Sequence, residues 1–157
     1  MKKLLILTLL LSILIPAASA DTGDATELSG HMYESLSGTA SMIGGMRFDG
    51  DWVYANDIVQ AYIGGGVTLA GNTADQIKFI MLDGENQYSL FGLQPGMDRG
   101  MLQPLFNQYP HRSFQDNGEN HIITLSERSD GYVEILWIVV KNDRLTHIIY
   151  EVGYGHD

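Results

Sequence analysis

Cysteine is missing from all 157 residues. That absence excludes a disulfide framework, a thiolate nucleophile, cysteine-based zinc or iron–sulfur sites, and a lipid-attachment cysteine. Positive charge is scarce as well, with 9 Lys and Arg against 19 Asp and Glu and a net charge of −10. Such a surface repels phosphate backbones and anionic lipid, so neither nucleic acid nor an anionic membrane is an expected partner. No Gly-x-Ser-x-Gly elbow and no HxH or HExxH histidine spacing occurs. Gly64-Gly65-Gly66 lacks the Lys-Ser/Thr of a phosphate loop.

What is present begins with Lys2-Lys3, an apolar run from Leu4 to Ile15, and Ala18-Ser19-Ala20. Basic start, apolar core and small-residue cleavage site make residues 1–20 a predicted signal peptide. The apolar run is shorter than the ~20 residues that span a bilayer. Cleavage after Ala20 removes two lysines, takes the charge from −10 to −12, and leaves no membrane anchor. The mature chain is therefore expected to be exported, to the periplasm or the extracellular space.

Residues 21–41 are polar and interrupted by Gly23, Gly30 and Gly38. Leu28, Met32 and Leu36 at i, i+4 and i+8 fit a short helix that the glycines weaken, so a flexible segment or a loosely docked helix is expected. Residues 42–157 are expected to form a single α+β domain. Met42 to Val53 is strand-like, with a break at Asp49-Gly50-Asp51. Asp57 to Ile63, capped by Asn56 or Asp57 and stopped by the three glycines, fits a helix with Ile58, Val59, Tyr62 and Ile63 on one face, ahead of the short β-strand that its Ile and Val also favour. Gln76 to Leu82 predicts a strand, and Gln87 to Phe91 its antiparallel return.

The stretch from Phe91 to Phe106 holds a Pro95-Gly96 turn. Met101, Leu102, Leu105, Phe106 and Tyr109 then share one helical face. Pro104 is tolerable only near the first turn of that helix, and Tyr109-Pro110 ends it. His121 to Glu127, Tyr132 to Lys141 and Leu145 to Val152 predict three strands joined by turns at Ser129-Asp130-Gly131 and Asn142-Asp143. Tight turns would put Val133, Ile135, Trp137, Val139, Ile148, Tyr150 and Ile122 on one face. Leu136, Ile138, Val140, Leu145, Ile149, Ile123 and Leu125 would share the other. Two apolar faces mean a sheet covered on both sides, or one that meets a partner. Trp137 and Ile135 are expected to face Leu102, Leu105 and Phe106.

The predicted fold class is thus an antiparallel β-sheet with one or two short helices packed on one face. Helix followed by strands occurs twice, from Asp57 and from Met101, with an offset of 43 residues between Ile58 and Met101, which allows two helix-plus-strands modules. Gly92-Leu93-Gln94-Pro95-Gly96-Met97, an amphipathic helix, a proline-containing stop and an antiparallel sheet resemble the SmpA/OmlA (BamE)-type envelope module over Phe91–Val152. That module's fold is shared with secreted β-lactamase-inhibitor proteins. The resemblance implies a non-catalytic binding module in the envelope or outside the cell.

Candidate chemistry is sparse. His121 and His147 fall on the same face in the register above, with Ile138 between them, two strand spacings or ~9–10 Å apart. That is too far for shared zinc ligation, so no metal is expected. Asp49-Gly50-Asp51, Asp83-Gly84-Glu85 and Asp116-Asn117-Gly118-Glu119 lack calcium-loop spacing and suit turns. Trp52 and Tyr54, beside an acidic turn, are the candidate surface for a ligand or partner. The leading expectation is a secreted or periplasmic protein-interaction module without catalytic residues or cofactor, engaging another envelope or extracellular protein. The alternatives are a small-ligand or carbohydrate binder using exposed aromatics, and a hydrolase whose site has no recognised motif.

Overall fold

A computed structural model describes residues 25–54, 57–113 and 118–154. Within these, the side chains of residues 53, 54, 57, 58, 113 and 154 are not described. Ten strands and two short helices follow in order: β1 (Thr26–Glu27), α1 (Leu36–Ile43), β2 (Arg47–Tyr54), β3 (Asp57–Gly64), β4 (Val67–Gly71), β5 (Ile77–Asp83), β6 (Tyr88–Ser89), α2 (Gln103–Gln108), β7 (His111–Ser113), β8 (Asn120–Glu127), β9 (Tyr132–Lys141) and β10 (Arg144–Tyr154). Eight strands form one antiparallel sheet in the order β2-β3-β4-β5-β10-β9-β8-β7. β1 and β6 pair separately, in parallel.

The first half of the chain thus supplies β2 to β5 and the second half β7 to β10, each in mirrored order, and the halves meet along β5 and β10. A shared frame of hydrogen bonds holds each helix start to the last strand of its own half. In the first half the Tyr33 amide donates to the Ile77 carbonyl, Ile77 to Glu34, and Leu36 to Asp75, at 3.0, 3.0 and 2.8 Å. In the second, Gly96 donates to Leu145, Leu145 to Met97, and Arg99 to Asp143, at 2.7, 2.9 and 2.9 Å. Ser35 caps α1 through the Gly38 amide, and Asp98 caps the 3₁₀ turn Arg99–Leu102 through the Gly100 amide. Asp75 and Asp143 occupy the same place in the two frames and both have positive φ, 59° and 58°.

The segment Asp57–Gly64, expected to be a helix, is strand β3. Seven residues with apolar side chains at i, i+1, i+4 and i+5 satisfy a helix face and also a strand buried on both sides. Pairing decides: β3 lies between β2 and β4, and Gly65 and Gly66, with φ of 59° and 74°, form the two-residue hairpin turn into β4. The first helix is instead α1, so the repeat runs from Leu36, not from Asp57. From Leu28 onward, the segment expected to be flexible sends Leu28, Met32, Leu36 and Ala40 into the core, all buried. The second helical stretch opens as the 3₁₀ turn and continues as α2. Pro104 stands in the first turn of α2, and the helix stops before Pro110. Residues 87–91 do not return alongside β5; only Tyr88–Ser89 is strand, paired with β1.

One cross-strand row on the inner face reads Phe48, Tyr62, Leu69, Ile80, Tyr150, Leu136, Ile123 and His111. These strands and the buried Leu36, Ala40 and Leu102 share one core cluster, with Leu105 and Phe106 partly buried against it. The helices therefore pack against Leu136 and Ile138, and not against Trp137 and Ile135 as expected. The register of β10 explains the difference. Leu145 pairs with Val140 and His147 with Val139, so Thr146 is an extra residue in a bulge. A one-residue slip moves every later side chain to the opposite face. Ile148 and Tyr150 consequently join Leu136 and Ile138, while Ile149 joins Trp137.

Candidate docking surface

The outer face carries a second row that crosses all eight strands: Arg47, Ile63, Thr68, Met81, Ile149, Trp137, Ile122 and Arg112. Both ends are exposed arginines on the edge strands, and between them only Thr68 is not apolar. A parallel row holds Gly50, Ala61, Ala70, Phe79, Glu151, Ile135 and Thr124; another holds Asp83, His147, Val139 and Asn120. Ile63, Met81, Ile149, Ile135, Val139 and Ile122 are all partly exposed. Across the three rows and the β2 bulge two arginines stand against three carboxylates, Asp49, Asp83 and the buried Glu151, in a chain whose net charge is −10. This face is close to neutral on an acidic protein.

Trp52 belongs to the outer face and is partly buried. Asp49, the extra residue of a bulge in β2, accepts from its indole N–H at 3.2 Å and pairs with Arg47 at 2.6 Å. Trp52, Val59, Ala70, Phe79 and the stem of Lys78 line a hollow of about 110 Å³. That is below the ~300 Å³ at which small-molecule sites begin, and it suits one apolar side chain. Tyr54 is the last residue of β2, opposite Asp57; its side chain lies outside the described residues. Sequence reasoning recognised that both faces of the C-terminal strands are apolar. It missed Ile63 and Met81, and it assigned Ile149 to the wrong face because nothing local marks the Thr146 bulge.

Two inner-side clusters hold perturbed titratable groups. The Tyr33 hydroxyl donates to Glu134 Oε1 at 2.7 Å, and Ser126 donates to Glu134 Oε2 at 2.9 Å. The Lys78 ammonium sits 4.4 Å from the centre of the Tyr33 ring. Burial, reinforced by the Glu134 carboxylate, pushes the Tyr150 hydroxyl up to about 12. Tyr33 itself has φ 70°, strained for a bulky side chain. These contacts tie the turn before α1 to β5 and β9.

At the other end, His121 is buried, and one ring nitrogen bonds the Gly118 carbonyl at 2.9 Å. Its Nδ1 is buried without a partner among the described residues. Burial, then the charges of Arg99 and His111, hold this imidazole below its ordinary pKa. Phe106 stacks on His111 at 4.0 Å and lies 5.2 Å from His121. His121 and His147 do not share a face, again because of the Thr146 bulge; His147 Nδ1 meets the Thr146 hydroxyl at 3.1 Å. Among the described residues no three His, Cys, Asp or Glu side chains converge on a point where a metal could bind.

A cleft of about 310 Å³ lies between the end of α1, the β3–β4 turn and residues 86–88. The Asn86 amide there donates to the carbonyls of Gly66, Asp83 and Gly84, and the Tyr88 hydroxyl to that of Ile43. Its polar groups thus serve the fold. Compared with family models, curated proteins and solved structures, the chain matches none.

Proposed function

We propose that this chain is an exported protein-interaction module, without catalytic role, that docks another protein on the outer face of its sheet. The observation that carries this reading is the row of side chains, apolar except for Thr68, that runs between the two edge arginines. A sheet with helices on one side and a continuous apolar second face leaves that face for a partner to cover. Near-neutrality there lets an acidic protein approach another protein without repulsion, and large apolar side chains are typical binding anchors. The hollow beside Trp52 accepts one side chain of the partner. The start of the chain supports export to the periplasm or beyond, and the resemblance of Phe91–Val152 to an envelope module points the same way.

The test is capture from periplasm and culture supernatant with the mature protein as bait. Two outer-face variants, Met81→Glu and Ile149→Glu, are compared with an exposed helix-side variant, Gln108→Glu. With all three melting as folded proteins, the outer-face variants are expected to lose the captured protein and Gln108→Glu to keep it. Capture unaffected by either outer-face change would overturn the reading.

A further inference from the structure

We propose that, where no other protein covers it, the outer face is occupied by a second copy of this chain, packed sheet to sheet; the inference rests on the docking reading above. Three observations favour it. The first is area. Eight strands at ~4.8 Å spacing give a face about 34 Å wide, and the apolar span Val133 to Val139 in β9 is roughly 20 Å long. The flat area is about 650 Å² per copy and roughly 1,300 Å² for a pair, above the ~1,000 Å² a specific interface needs.

The second is the symmetry of the face itself. Read outward from the β5–β10 seam, one half of the row is Met81, Thr68, Ile63 and Arg47, and the other is Ile149, Trp137, Ile122 and Arg112. A copy rotated by a half-turn about the seam lays its Ile149 over Met81 and its Ile122 over Ile63, apolar on apolar, and sets its large Trp137 over the small Thr68, each contact occurring twice as in a closed two-fold interface. Two sheets packed this way cross at about −30° and lie ~10 Å apart, so the central apolar residues interdigitate while the row ends diverge. The arginines then avoid each other, and Arg47 is already neutralised by Asp49 at 2.6 Å.

The third is charge. Glu27, Glu34, Asp75, Asp98 and Glu134 all make their hydrogen bonds around the helices and the inner side. Face-to-face pairing keeps those carboxylates on the two far surfaces of the dimer. Pairing through the helix side would bring them together.

Mass measured by light scattering and sedimentation from about 1 to 100 μM should rise from monomer to dimer, the range in which weak specific complexes assemble. Ile149→Glu should stay monomeric throughout while melting as a folded protein. Because the chain has no cysteine, Ile149→Cys with a short bis-maleimide linker reports on that position alone. It should cross-link to itself, and Gln108→Cys should not. A monomer at every concentration would overturn the dimer, as would a dimer that Ile149→Glu leaves intact or that cross-links through Gln108→Cys. Those outcomes leave the docking reading to its own capture test, because loss of a captured protein in Met81→Glu does not depend on self-association.

Discussion

The two halves of the molecule build the same frame from different residues. Where the second half has Gly96 at φ 90°, the first has Tyr33 at φ 70°. The backbone needs a left-handed residue at that point, and glycine supplies it without strain, whereas an L-residue with a side chain pays roughly 1–2 kcal/mol. The tyrosine persists because its side chain contributes elsewhere, through Glu134 and Lys78. The end of the inner row also differs. In the first half it is an aromatic pair, Phe48 and Tyr62 at 5.4 Å; in the second it is Ile123 and His111, beside buried His121. One frame therefore tolerates a strained side chain at one end and a titratable one at the other.

The sharpest test of equivalence is truncation of the leucine that anchors each helix. Leu36 and Leu102 are both fully buried, so Leu36→Ala and Leu102→Ala should each cost ~2–5 kcal/mol in urea melts. Leu105→Ala, at a partly exposed position, should cost less. If only one of the two buried sites mattered, the halves would not share a core. Next in size, Gly96→Ala should destabilise by about 1–2 kcal/mol, since nothing lies near its added methyl and the penalty is purely conformational. A neutral result in thermal melts would mean the turn can relax and the frame is softer than drawn.

A pH series separates the halves by another route. The His121 pKa is depressed in the folded state, so below the unfolded value of 6.5 the unfolded chain binds a proton that the folded chain does not. Stability must fall as the pH drops from 6.5 toward the folded value, by at most about 1.4 kcal/mol per pH unit. Glu27, held low by Ser29, Gly92 and Ser89 against the opposing effect of burial, and Asp75, held low by Ser35 and Ser37, act only at lower pH, below their ordinary 4.5 and 3.8. His121→Leu should remove the slope that opens below pH 6.5 and leave the carboxylate region unchanged. A slope that survives places the titrating group elsewhere. The smallest effect belongs to Tyr33→Phe, which gives up the bond to Glu134 and should cost ~0.5–1.5 kcal/mol. Restoration of the loss by Glu134→Gln would show that the hydrogen bond is not its source.

How much of this was legible in the sequence depends on where the deciding interaction lies. Turns at Asn142-Asp143 and Ser129-Asp130-Gly131 announce the C-terminal strands because their chemistry is local. Pro104 and Pro110 bracket α2 for the same reason. α1 was barely legible: of the expected helical set Leu28, Met32 and Leu36 only Leu36 lies in it, and Gly38 lowers intrinsic helix stability. What rescues the helix is Asp75, on another strand connection, accepting from Ser35, from the Ser37 amide and from its hydroxyl. β3 was misread because its partners β2 and β4, and not its own spacing, settle its conformation. Within the outer face, Ile149 was misplaced through a single residue, Thr146, whose bulge reverses the faces of β10, and Ile63 was missed with β3. Trp52 was singled out as a candidate surface residue beside an acidic turn, but its neighbours Val59, Ala70 and Phe79 arrive from three other strands. Local chemistry reads from the chain, and register does not.

Two frames joined along β5 and β10 into one sheet should unfold as one cooperative unit, the premise on which the proposed docking face rests. Native-state hydrogen exchange, residue by residue, tests it most directly. Amides of Ile80 to Leu82 and Ile148 to Tyr150 should exchange only through global unfolding, with the same free energy and the same denaturant dependence in both halves. If β7 to β10 exchanged as a separate unit while β2 to β5 stayed protected, the seam would not bind the halves together, and the continuous outer face would lose its foundation.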